Sequence, residues 1–249
     1  MVVRASFLIF LGIFASLPGC GREASDTERT PAPASAVPSG TASAPLDTTP
    51  IDKAARASGA PRIIFLGDSL TAGLGLDIER TFPALIQKRI DAAGYQYEII
   101  NAGVSGDTSA GGLRRLEWAL GEGKPEILVV ALGGNDGLRG LPIEQLESNL
   151  AQIIEQGQKR GLAVILAGME APPNFGADYT ARFRAVYRTL ADRYHVRLIP
   201  FLLDGVAGQA ALNQADGIHP NARGAEKVAD LVWRALEPEL TDTRRTTPR

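Results

Sequence analysis

Between about residues 61 and 238 the chain alternates two kinds of hydrophobic pattern. The runs "RIIFLG", "YEIINAG", "EILVVALGG", "LAVILAGM" and "VRLIPFL" are continuous and rich in Val, Ile and Leu, the mark of strands buried on both faces. Between them apolar residues recur at i, i+3, i+4 and i+7, the spacing of a helix with one buried face. Phe82, Leu85, Ile86 and Ile90 form one stripe, and Ile143, Leu146, Leu150, Ile153 and Ile154 a second. Tyr179, Phe183, Val186, Tyr187 and Leu190 form a third, and Val228, Leu231, Val232 and Leu236 a fourth. Gly94 and Gly161 stand where helix C-caps belong. Strands alternating with helices over short connections predict right-handed βαβ units, hence an α/β fold with a parallel sheet and helices on both faces. Ligands in such sheets bind beyond the carboxyl ends of the strands, so the residues after each run are the candidates for chemistry.

The flanks read differently. Arg4, the apolar run "ASFLIFLGIFASL" and then "PGC" give residues 1–20 the order of an export signal, too short to span a bilayer, which takes about 20 apolar helical residues. "LPGC" resembles a bacterial lipobox, in which the cysteine, here Cys20, is lipidated and becomes the mature N-terminus. The expectation is an exported lipoprotein at the periplasm or cell surface, held at a membrane by that anchor. Pro18 stands where a small or aliphatic residue is usual, and plain secretion and an uncleaved anchor are the alternatives. Residues 21–60 are rich in Pro, Ala, Ser and Thr and poor in large apolar residues, so burial there cannot offset backbone ordering, about 1–2 kcal/mol per residue. They are expected to form a disordered tether, leaving 61–238 as the folded domain and 239–249 as a short disordered tail.

Composition narrows the function. A formal charge of -2, with no dense Lys/Arg block, gives no footprint for nucleic acid. One cysteine excludes an internal disulfide framework, and in an exported chain lipidation accounts for it. With two histidines, one cysteine and no H-E-x-x-H, no typical zinc site is visible. "GLGL" at 73–76 and "GGND" make neither a dinucleotide fingerprint nor a Walker loop.

The strand ends carry more specific chemistry. The first run stops in Gly67-Asp68-Ser69, where Ser69 reads either as a helix N-cap or as a nucleophile. Asp216 and His219 are three apart in "DGIHPN", which allows the carboxylate to fix the imidazole tautomer, or else forms an Asx-type turn with a surface histidine. His195, between a helix and a buried run, reads as packing or as a helix C-terminal partner, which leaves His219 as the candidate base. Ser105 in "GVSGD" is a rival nucleophile, but Asp107 breaks the G-x-S-x-G elbow. Gly106 and Asn135 offer an unobstructed N–H and a side-chain amide for an oxyanion, or are simply turn residues. Asp136 is assigned no role. Pro172, Pro173 and Phe175 in "MEAPPNFGADY" read as an apolar wall or as a rigid loop with one buried aromatic.

Taken together these loops resemble the GDSL, or SGNH, hydrolase family. Gly67–Leu70 matches its first block, "NAGVSGDTSAGG" the second, "GGND" the third and "DGIHPN" the fifth, in order. The resemblance is greatest to the arylesterase and acyl-thioesterase I branch. It implies a three-layer flavodoxin-like fold with a five-stranded sheet, a Ser69–His219–Asp216 triad and an oxyanion hole of Ser69, Gly106 and Asn135. It further implies hydrolysis of small acyl-ester, thioester or lysolipid substrates without metal or cofactor. The alternatives are a carbohydrate O-deacetylase acting on cell-envelope glycans and a non-catalytic binding module of the same fold.

Overall fold

The computed structural model describes residues 59–240. The expected signal at 1–20 with Cys20, and nearly all of the expected tether and tail, lie outside the described residues.

Five strands form the centre: β1 (Arg62–Gly67), β2 (Glu98–Gly103), β3 (Pro125–Ala131), β4 (Ala163–Ala167) and β5 (Arg197–Ile199). All pair in parallel, in the order β2-β1-β3-β4-β5. The order is that of a flavodoxin-like sheet. Every residue of β1 is buried, as expected for a strand flanked by others and covered above and below. The longer helices are α2 (Phe82–Ala92), α6 (Ile143–Lys159), α7 (Ala177–Tyr194) and α8 (Ala222–Leu236). Short helices follow the strand ends: α1 (Ser69–Ala72) after β1, α3 (Ser109–Arg114) and α4 (Leu116–Leu120) after β2, and α5 (Gly134–Leu138) after β3.

The four predicted stripes are the buried faces of these long helices. Ile86, Ile90, Leu150, Ile153, Ile154, Phe183, Leu190, Val232 and Leu236 are all in the core, while Leu85, Tyr179 and Leu231 pack on its margin. Each fully buried side chain of this kind contributes about 1.5–3 kcal/mol of transfer free energy. Connections from β1 run one way to β2, and those from β3 run the other way to β4 and β5. Right-handed crossovers therefore send their helices to opposite faces. The packing follows: α2 lies against α8, and α6 lies against α3 and α7. The direction reverses between β1 and β3, which opens a crevice at their carboxyl ends.

Gly94 and Gly161 terminate α2 and α6 as expected. Gly94 N–H donates to Asp91 and Tyr95 N–H to Ile90; Gly161 N–H donates to Gln158 and Leu162 N–H to Gly157. Both are Schellman closures with the glycine at positive φ, 78° and 77°. At the other end, the packed chain runs past the boundary expected at 238. Glu239 pairs with Arg197 at 2.6 Å and Leu240 is only 8% exposed against the core, so these two residues belong to the domain and not to a tail. A single apolar residue after Pro238 gives no periodicity by which to foresee this.

Candidate active site

The turn after β1 removes the helix-cap reading of Ser69. Asp68 is the N-cap of α1, its Oδ1 accepting from Leu70 N–H at 3.0 Å. Ser69 is the first helical residue, and its hydroxyl is hydrogen-bonded to His219 Nε2 at 2.9 Å, across 150 residues of sequence. On the far side of the imidazole, Nδ1 lies 2.6 Å from Asp216 Oδ2. Asp216 also closes an Asx turn, with Oδ1 accepting from Ile218 N–H at 2.9 Å and His219 N–H at 3.0 Å. The Asx turn expected of D-x-x-H is present, but it does not cap the following helix, whose cap is Asn221, and the His219 side chain is only 16% exposed. The backbone and side-chain hydrogen bonds from His219, with the Ile218 N–H, hold the Asp216 carboxyl down at about 2. At neutral pH it is therefore an anion.

Gly106 has φ 83°, in the left-handed region that favours glycine, and a Cβ there would meet nothing closer than Arg139 at 3.9 Å. Conformation, not space, calls for glycine at this position. Asn135 follows β3 in α5, and its Nδ2 donates to the Asp107 carbonyl at 2.8 Å, which fixes the amide plane. Ser69, Gly106, Asn135 and His219 all face one cavity of about 570 Å³. Ser105 lines it too, but Ser69 is the serine bonded to the imidazole. The remaining wall is mainly apolar, with Leu70, Leu74, Leu138, Met169, Phe201 and Leu203 among its residues.

Pro172 and Pro173 line this cavity, but Phe175 does not. Its ring turns onto Tyr179, with centroids 5.4 Å apart, and sits where a side chain at position 140 would be, so the expected wall has two members, not three. His195 is the C-cap of α7 at φ 53° and donates its N–H to Ala191, away from the site. Among the described residues no group of three or more His, Cys, Asp or Glu is arranged to hold a metal ion.

Three supporting residues escaped the sequence reading. Asp136, assigned no role, is 2% exposed and accepts from Ser109 N–H at 2.8 Å and Ser109 Oγ at 2.6 Å, tying the end of β3 to the start of α3. Gln214 Nε2 donates to the carbonyls of Leu74 and Pro220 at 2.7 and 3.0 Å, pinning the His219 loop onto the loop that follows α1. Arg115 donates to the Asp107 carboxylate and to the carbonyls of Ala102 and Gly67. Their partners lie between 6 and 140 residues away, and only Pro220 was near enough for a local motif to include it.

Asp68 carries a cost with its position. Burial, at 2% exposure, pushes its carboxyl up to about 6, against the opposing pull of the Leu70 N–H and the His219 charge. Below the ordinary value of 3.8 the group is neutral in both folded and unfolded chains. Between 3.8 and about 6 the folded state keeps the proton longer, so stability falls as pH rises through that window. Asp68→Asn retains an Oδ1 cap without the charge. It is therefore expected to gain on the parent by about 2–3 kcal/mol between pH 4 and pH 8. Urea unfolding at the two pH values measures this, and a gap independent of pH contradicts it.

Residues 65–227 match the family model described as "GDSL-like Lipase/Acylhydrolase family". The chain is 45% identical to "Esterase TesA" of Pseudomonas aeruginosa over 73% of its own length and 90% of that protein. It is 37% identical to "Thioesterase 1/protease 1/lysophospholipase L1" of Escherichia coli K12 over 74% of this chain and 86% of that one. Among solved structures, the psychrotrophic esterase EstA from Pseudoalteromonas sp., inhibited by monoethylphosphonate, superposes with a TM-score of 0.68 at 32% identity, covering 71% of this chain and 97% of that one. The sheet order, the residues gathered at its carboxyl edge and these likenesses agree: the chain belongs to the GDSL-like lipase/acylhydrolase family.

Proposed function

We propose that this protein is a serine hydrolase that cleaves acyl esters or thioesters, with Ser69 as nucleophile, His219 as base and Asp216 as its orienting carboxylate. The observation that carries the reading is the hydrogen-bonded line Ser69–His219–Asp216, at 2.9 and 2.6 Å, facing a largely apolar cavity of about 570 Å³. A serine hydroxyl attacks only when a neighbour accepts its proton, and Nε2 is within reach to do so. Asp216 accepts a hydrogen bond from Nδ1–H and so selects the tautomer whose Nε2 is free to take a proton. As Ser69 Oγ bonds to the acyl carbon, its proton passes to His219 and the carbonyl oxygen becomes an anion. Backbone N–H groups of Ser69 and Gly106 and the amide of Asn135 supply the donors for that anion; one such donor is worth about 2.7–4 kcal/mol. His219 then protonates the leaving alcohol or thiol, the acyl group stays on Ser69, and a water deprotonated by His219 releases the acid.

The apolar wall and the esterase and thioesterase relatives support acyl chains as the bound portion. Each methylene buried in that wall gains about 0.8 kcal/mol. Along p-nitrophenyl esters from acetate to palmitate, kcat/KM is expected to peak at a medium or long chain, at least about tenfold above acetate. A maximum at acetate overturns this reading in favour of an O-deacetylase.

A further inference from the structure

Arg115 closes α3 and opens α4. Its side chain and that of Asp107 are each only 16% exposed. The guanidinium is committed to three acceptors on three separate pieces of chain. Nε donates to Asp107 Oδ2 at 2.5 Å, Nη1 to the Ala102 carbonyl at 2.7 Å, and Nη2 to the Gly67 carbonyl at 2.8 Å. Gly67 ends β1 and directly precedes Asp68 and Ser69. Ala102 is the penultimate residue of β2, and Asp107 follows Gly106. Asp107 in turn accepts from Asn135 Nδ2 through its carbonyl, at 2.8 Å. One guanidinium thus joins the nucleophile turn, the loop that carries Gly106 and the amide of Asn135.

Satisfying orphaned carbonyls does not account for this arrangement. The Gly67 carbonyl already accepts from Val104 N–H at 3.0 Å. The Asp107 carboxylate also imposes a sequence requirement: a Cβ on Gly111 would lie 2.1 Å from its Oδ1, so a glycine, unfavourable within a helix, must stand there. Oxyanion donors act only while held within a few tenths of an ångström of their working separation, because their value comes from being oriented before the charge develops. Resting on the acyl-transfer reading above, we infer that Arg115 is a positioning residue. Through Asp107 it sets the distance between Ser69 and the oxyanion donors Gly106 and Asn135. It touches neither the substrate nor the reacting atoms. Lysine cannot replace it, since a single ammonium lacks the planar fork that reaches three fixed acceptors.

The test is a double-mutant cycle on folded protein, with a p-nitrophenyl ester that the parent enzyme hydrolyses. Arg115→Lys is expected to lower kcat by about 10–100-fold, with KM changed less than about threefold, the split that marks loss of an interaction made only in the transition state. Asn135→Ala alone is expected to cost about 10²–10³-fold in kcat. In that background Arg115→Lys should cost clearly less than in the parent, because the share of its effect that runs through Asn135 is already lost while the share through Gly106 remains. Should Arg115→Lys not fold, Asp107→Asn carries the same cycle, since it removes the ion pair and leaves Arg115 its two carbonyl partners. Losses that multiply in the double variant, or a raised KM at constant kcat, overturn the positioning role. Failure of the acyl-transfer reading shows separately, as a parent protein without esterase activity or one whose activity survives Ser69→Ala.

Discussion

Replacing Ser69 with alanine is expected to lower kcat for ester hydrolysis by about 10⁶-fold. The size follows from geometry: the Ser69 Oγ is the oxygen bonded to His219 Nε2, and without it no acyl-enzyme forms. Stability should hardly move. Had Ser69 been the cap of α1, alanine would cost about 1 kcal/mol. Asp68 holds that position instead, so the expected change is below about 0.5 kcal/mol. Adding His219→Ala to the same protein should reduce the residual rate little further, since the nucleophile and its base act as a unit. Rate and urea midpoint measured on one preparation separate the outcomes. A silent kcat with a lowered midpoint would make Ser69 a structural residue.

Asp216→Asn is expected to lower kcat by about 10⁴-fold near neutral pH while leaving the loop folded. The amide oxygen can still accept from Ile218 and His219 N–H, so the Asx turn survives. Its NH₂ group, however, cannot accept from Nδ1–H and donates to Nδ1 instead, which holds the imidazole in the tautomer whose Nε2 already carries a proton. The pH dependence has a defined sign. With the folded carboxyl held at about 2, Asp216 stays ionised as pH falls through the mildly acid range, so loss of activity there is not its titration. A parent pH–rate profile compared with that of the variant checks this. Equal rates for the two proteins at pH 7 would remove Asp216 from the mechanism.

Much of the fold was legible because periodicity is a local property. The five buried runs, the four stripes and the glycines at 94 and 161 each announce their structure within a dozen residues. They become β1–β5, the faces of the four long helices and two Schellman closures, except that β2 and β5 are not buried throughout: as edge strands with a neighbour on one side alone, they leave Asn101 and Arg197 exposed. The D-x-x-H turn is local in the same sense, since Asp216 and His219 are brought together by their own backbone. The side chains that support the site are another matter. Arg114 and Arg115 are neighbours of equal charge in "GGLRRLEWAL", and no pattern in that stretch distinguishes the anchored arginine from the other. Phe175 sits among residues that line the cavity, yet it faces Tyr179.

By itself the sequence determined the alternation of buried strands and one-sided helices, and with it a parallel sheet whose carboxyl edge gathers Ser69, Gly106, Asn135 and His219. Tertiary structure decided what those residues do there. It gave the cap of α1 to Asp68, freed the Ser69 hydroxyl for His219 from the far end of the chain, and placed Arg115 under the ends of β1 and β2. The physical reason is range. Dihedral preference and hydrophobic period act over a few residues, whereas a hydrogen bond between residues 150 apart exists only after the core has closed and set the separation of the strands that carry them.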